Sequence, residues 1–241
     1  MKKYICEVCG HIHLGNSAPE ACPVCGVGAE HFKLVEEAQT SNEQTEKKSL
    51  VGTKTAENLM KSFAGECQAR TRYTYYASVA RKEGYVQIAN IFIETAEQEK
   101  EHAKRFYKFL KEDFEDVGIE INATYPVSFH KSTAKNLKAA ADGEHEEFVV
   151  DYPKFSKTAL EEGFPEIAEA FSRIATVEER HERRYRKLLA NIENGTVFKK
   201  EGTVEWKCNN CGYIHVGEEA PHSCPACQHP QGYFELFIET Y

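Results

Sequence analysis

The 241-residue sequence has no apolar run near the roughly 20 residues that a bilayer-spanning helix needs. It has no basic excess: 30 Lys and Arg against 38 Asp and Glu leave a net charge of −8, whereas a nucleic-acid binder needs a basic face. It lacks a Gly-rich dinucleotide fingerprint, so nicotinamide chemistry is expected to belong to a separate reductase. Residues 1–9 lack an apolar leader core and carry a cysteine by position 6, so secretion is not expected and the chain is expected to be cytoplasmic. In that compartment paired cysteines are expected to hold metal, not disulfides. What is left is a chain longer than one typical domain, with 41% hydrophobic residues to build a core.

Eight of the nine cysteines form two copies of one pattern. Cys6, Cys9, Cys22 and Cys25 recur 202 residues later as Cys208, Cys211, Cys224 and Cys227, and Gly10, Ile12, His13, Pro23, Phe32 and Leu34 recur with them. Each set makes two knuckles whose thiolates converge on one tetrahedral ion. Sulfur geometry admits zinc or iron, and iron is expected because the helical segment between the modules needs an electron source. The histidines of these segments (His11, His13, His215, His222 and His229) are read as loop residues.

The chain is expected to divide into a cysteine module at 1–37, a polar linker at 38–52, a helical region at 53–195 and a second module at 204–241. Helices are expected from Thr53 to about Lys82, Tyr85 to Glu112, Ser132 to Glu162 with a kink at Pro153, and Pro165 to Glu193, with a long crossover at 113–131. Gly84, Phe92, Glu99, His102 and Arg105 reappear 79 residues later as Gly163, Phe171, Glu178, His181 and Arg184. Two related hairpins joined by one long crossover predict an all-α, ferritin-like four-helix bundle.

On those helices Glu99-x-x-His102 and Glu178-x-x-His181 each put a carboxylate and an imidazole on one face. Glu66 and Glu144, each directly after a glycine, occupy matching places on the other two helices. One Glu-x-x-His is commonly a solvated chance, as Glu219-Ala220-Pro221-His222 illustrates. Two of them in register with two glutamates match the donor set of a di-iron or di-manganese bundle. Burying that many carboxylates together is prohibitive without cations. Glu147, one turn after Glu144, is either a solvated residue or an extra ligand. Tyr73 and Tyr152 are placed either to hydrogen-bond the carboxylates or to pack as core. Cys67 points about 100° away from Glu66 and is expected to be a buried thiol.

The stretch Phe63 to Tyr75 with Glu99–His102, and Gly143–Glu147 with Glu178–His181, resemble the rubrerythrins, and each end resembles a short rubredoxin. The resemblance spans the whole chain. It implies that Glu99 and Glu178 bridge two irons, that Glu66 and Glu144 are terminal ligands, and that His181 holds one iron while the other exchanges Glu147 for His102 on reduction. It implies two Fe(Cys)4 centres, a homodimer or larger homo-oligomer, and a rubredoxin or an NAD(P)H-dependent rubredoxin reductase as donor. The activity it implies is reduction of hydrogen peroxide to water. Four-electron reduction of dioxygen is an alternative that twin modules accommodate, and metal storage or a zinc-stabilised binding protein is another. Family members carry one rubredoxin module at either terminus; this chain carries both.

Overall fold

The computed structural model describes residues 2–8, 12–23, 25–35 and 48–240, with backbone alone at 3, 12, 14 and 35. Cys9, His11 and most of the expected linker therefore lie outside the described residues. The chain forms two compact units, Met1–Lys48 and Ser49–Tyr241.

In the first unit, β1 (Lys2–Cys6), β2 (Ile12–Gly15) and β3 (Phe32–Val35) make an antiparallel sheet in the order β2-β1-β3. Cys6 pairs with Phe32 at the end of β1, next to the knuckle closed by Gly26 N–H donating to the Cys22 carbonyl at 2.9 Å. Gly26 sits at φ +75°, where a side chain is strained.

The second unit begins earlier than expected. Leu50 is buried in the bundle core and its N–H donates to Asp113 at 2.7 Å, so the last residues of the expected linker belong to the bundle. α1 (Lys54–Lys82) starts at Thr53, whose hydroxyl accepts from the Ala56 N–H. It turns back at Gly84 into α2 (Val86–Leu110). Residues 111–131 cross the bundle, and α3 (Thr133–Glu146) follows, capped by Ser132. α4 (Tyr152–Glu161) turns at Gly163 into α5 (Pro165–Glu193). Gly84 and Gly163 have φ of +82° and +77°, so both hairpins reverse through the same left-handed geometry.

The third helix is not the single kinked helix expected. Glu147–Asp151 form a π-helical turn between α3 and α4, ahead of Pro153. Tyr73 follows Glu66 by seven residues, whereas Tyr152 follows Glu144 by eight. The wider turn absorbs that extra residue and restores the register between the two halves.

Both halves bury an aromatic cluster. Tyr73, Tyr76, Phe92 and Tyr185 pack in one half, and Tyr152, Phe155, Phe106 and Phe171 in the other. These are partners at the 79-residue offset, apart from the hydroxyls of Tyr76 and Tyr185 where the other half has phenylalanine.

β4 (Lys199–Cys208), β5 (Ile214–Glu219) and β6 (Phe234–Leu236) form a sheet in the order β5-β4-β6 around buried Trp206. The first strand starts at Lys199, ahead of the expected module boundary at Val204, because Lys199 already pairs with Glu219. His13 and His215 lie on strands, not in loops, since β2 and β5 extend through them. The module rests on the turn between α1 and α2. Tyr85 and Phe198 stack with centroids 6.1 Å apart, and Gly232 lies so close to Gly84 that a Cβ would meet the Gly84 carbonyl oxygen at 2.2 Å. Among the described residues no helix is long and apolar enough to cross a membrane.

Candidate metal centres

The bundle gathers two overlapping donor sets. Glu66, Glu99, His102 and Glu178 form one; Glu99, Glu144, Glu178 and His181 form the other, with the donor atoms of each set within 4.8 Å of one another. Glu99 and Glu178 belong to both. His102 Nδ1 lies 2.9 Å from Glu99, 3.0 Å from Glu178 and 3.8 Å from Glu66. His181 Nδ1 lies 2.9 Å from Glu178, 3.2 Å from Glu99 and 3.6 Å from Glu144. The geometry follows from local sequence. A Glu-x-x-His spacing puts both groups one turn apart on α2 and on α5, while Glu66 and Glu144 face them from α1 and α3.

Electrostatics show what this arrangement lacks on its own. Burial raises Glu66 well above the usual carboxylate range, reinforced by Glu147, Glu178 and Glu99. Burial and Glu99 hold Glu144 up at about 8, although His181 opposes them. Glu147 is raised by burial and by Glu144. Burial opposes charge on the imidazoles too, but the carboxylates outweigh it, bringing His102 up to about 10 and His181 up to about 12. Glu99 is the exception: against the burial penalty, the two histidines bring it down to about 2. Protons thus neutralise the cage.

Several of these atoms approach closely without hydrogen-bond geometry. Both Glu178 oxygens, Glu99 Oε1, Glu144 Oε2 and His181 Nδ1 are buried without a hydrogen-bond partner among the described residues. These donor atoms converge on shared points, which suits two cations that would displace the protons. The residues fit a pair of divalent or trivalent ions.

The surrounding groups cross between the halves. Tyr73 on α1 donates to Glu144 on α3, and Tyr152 on α4 donates to Glu66 on α1. Both phenols are buried and their pKa values are raised by that burial, so they stay neutral donors. Glu147 is partly buried and belongs to neither donor set. It stands beside Glu66, with Oε1 3.8 Å from where a Gly65 Cβ would lie. Cys67 departs from expectation: it is exposed, because the step of about 100° from Glu66 carries it onto the solvent face of α1. Gln98 was not anticipated. Its Oε1 lies 2.9 Å from His181 Nε2 and so orients the ring. The signal was available, since Gln98 directly precedes Glu99 while its counterpart at the 79-residue offset is Val177.

The four thiols of the second module, and Cys6, Cys22 and Cys25 of the first, pass the same test of fit. Cys208 and Cys227 sulfurs lie 3.7 Å apart, Cys211 and Cys224 3.6 Å, and Cys6 and Cys25 3.6 Å. A tetrahedron built on metal–sulfur bonds of about 2.3 Å has edges of about 3.8 Å. The His229 backbone N–H holds Cys227 down at about 6. Gln228 takes the left-handed conformation, φ +64°, that Gly26 takes in the first module.

The family model described as rubrerythrin matches residues 57–189, and that of the rubrerythrin rubredoxin-like domain matches 4–33 and 206–235. This chain belongs to the rubrerythrin family. A rubrerythrin of Clostridium perfringens is 66% identical over 194 residues, covering 80% of this chain and all of that one. Rubrerythrin-1 of Clostridium acetobutylicum is 60% identical, with the same coverage. Among solved structures, nigerythrin in a partially reduced state aligns over 84% of this chain and 96% of its own at 34% identity, with a TM-score of 0.52. The chain therefore has a ferritin-like bundle with a non-haem di-iron centre, and a rubredoxin-like iron module at its N-terminal and its C-terminal end. It is an oxidoreductase-type di-iron protein, and electron donation from rubredoxin-like partners fits the family.

Proposed function

We propose that the chain reduces hydrogen peroxide to water at the bundle site, in oxidative-stress defence. The observation that carries this reading is the sharing of Glu99 and Glu178 by two donor sets. Such sharing would hold two one-electron ions side by side, which would suit a two-electron acceptor. Glu66, Glu99, His102, Glu144, Glu178 and His181 would hold the irons, with Glu147 available in exchange for His102. When bound, the irons supply two electrons to the O–O bond.

The protein's own groups do the rest. Tyr73 and Tyr152 donate to Glu144 and Glu66 and so fix the outer carboxylates. Gln98 fixes the His181 ring. Glu147, kept neutral by burial and by neighbouring carboxylates, holds a proton at the edge of the site. One peroxide takes up two electrons and two protons and leaves as two waters. The Cys6, Cys9, Cys22, Cys25 and Cys208, Cys211, Cys224, Cys227 modules relay the electrons one at a time. A free rubredoxin or an NAD(P)H-dependent rubredoxin reductase in the cytoplasm supplies them, and the chain works as a homodimer or larger homo-oligomer.

Anaerobic mixing of the fully reduced protein with hydrogen peroxide or dioxygen tests the reading. Faster reoxidation by peroxide, one peroxide consumed per two electrons, is the expected result. Faster reoxidation by dioxygen with water as sole product moves the function to four-electron oxygen reduction.

A further inference from the structure

A cleft of about 310 Å³ runs between α1, the crossover and the π-helical turn. Its wall includes Glu147 and Tyr152, so its inner end is the outer edge of the carboxylate site. Two helical glycines line it, Gly65 and Gly143, each directly before a donor glutamate. Neither has a left-handed backbone, and at Gly65 a Cβ would meet Tyr125 at 3.6 Å and Glu147 at 3.8 Å, ordinary contact distances. Glycine there is required by neither strain nor lack of room for a methyl group, although it costs a helix interior about 1 kcal/mol relative to alanine. What glycine provides is open space between Tyr125 and Glu147.

Tyr125 covers that space. Its hydroxyl donates to the Lys61 carbonyl at 2.7 Å, laying the crossover across α1 directly over Gly65. The rim carries both signs, with Lys61, Arg72 and Lys154 near Glu146 and Asp151, and Glu147 stands at the inner end. Interspersed charges of both signs make no single-sign funnel for ions, and their donors and acceptors suit a small uncharged polar molecule.

We propose that this cleft is the access route by which a small neutral hydroperoxide reaches the carboxylate site, with Tyr125 as its lid and Gly65 as the opening beneath. The proposal rests on the peroxide reading above and adds a size limit to it. Hydrogen peroxide passes under Tyr125, and a bulky aryl hydroperoxide does not.

The test uses the full iron-loaded chain as wild type, Gly65→Val and Tyr125→Ala. Valine fills the space between Tyr125 and Glu147, so Gly65→Val is expected to slow peroxide reoxidation about tenfold or more. Tyr125→Ala is expected to raise the rate with cumene hydroperoxide relative to that with hydrogen peroxide. A second readout is cobalt(II) uptake by the metal-free proteins, followed by visible absorption. All three proteins are expected to bind the same number of cobalt ions at the same rate, showing that the donor set is intact and that cations enter elsewhere. Cobalt uptake slowed in step with peroxide overturns the route as one for neutral molecules. Wild-type rates in both variants with both hydroperoxides overturn it altogether. If dioxygen proves to be the oxidant, the peroxide reading fails separately. The cleft then stands if Gly65→Val slows dioxygen, and falls if it does not.

Discussion

Loading the bundle with metal should expel a defined number of protons. At pH 7 His102 and His181 are protonated, with pKa values of about 10 and about 12, and Glu144, at about 8, is mostly neutral. Glu66 is raised well above the carboxylate range by burial and by Glu147, Glu178 and Glu99. All four supply donor atoms to the two sets, and a metal-bound imidazole or carboxylate carries no proton on the ligating atom. Binding of two divalent ions should therefore release about three to four protons, and the apparent loading constant should rise by about three to four decades per pH unit between pH 6 and 7. Solvated carboxylates with ordinary histidines would release about half a proton at pH 7. The assay is anaerobic addition of two equivalents of ferrous ion to weakly buffered protein containing phenol red, with the cysteine sites already filled so that thiol protons do not contribute. Release of fewer than about one proton would refute the protonated cage.

The metal-free protein should also lose stability as pH rises. The raised Glu144 carries no penalty below its ordinary 4.5, and a penalty that grows until pH passes about 8. His102 and His181 stabilise fully below 6.5 and lose that contribution as pH climbs through about 10 and about 12. Thermal melts of apo-protein from pH 5 to 9 should fall steadily, and a flat profile would contradict the assignment. Replacing Gln98 by Leu frees the His181 ring, so affinity at the donor set that includes His181 should drop about 10- to 100-fold, measured by competition with a chelator. Gly232→Ala would push a Cβ into the Gly84 carbonyl and should undock the C-terminal module at a cost of about 1–3 kcal/mol. Limited proteolysis at residues 195–198 should then accelerate while the colour of the module's iron site persists.

The cysteine pattern, the bundle and the gathering of Glu66, Glu99, His102, Glu144, Glu178 and His181 at its centre were legible in the sequence because they rest on local rules. A repeat at constant offset needs no structure to be seen, and a three-residue step fixes which side chains share a helix face. The break at Glu147–Asp151 was only partly visible. Pro153 marked the region, but the π turn became clear when the spacing of Glu144 and Tyr152 was set beside that of Glu66 and Tyr73. Burial of Cys67 was misjudged for a related reason. Angular separation from Glu66 says where the thiol points, not what fills the space there.

The chain by itself therefore determined which acidic and imidazole side chains gather, the twofold repeat and the family. Only the packed bundle decided that Tyr73 reaches Glu144 while Tyr152 reaches Glu66, that Gln98 meets His181, and that Tyr125 lies over Gly65. Helical periodicity is a property of a few consecutive residues. The rotation and offset of one helix against another are set by side chains far apart in the chain, so partners across the bundle follow from packing alone.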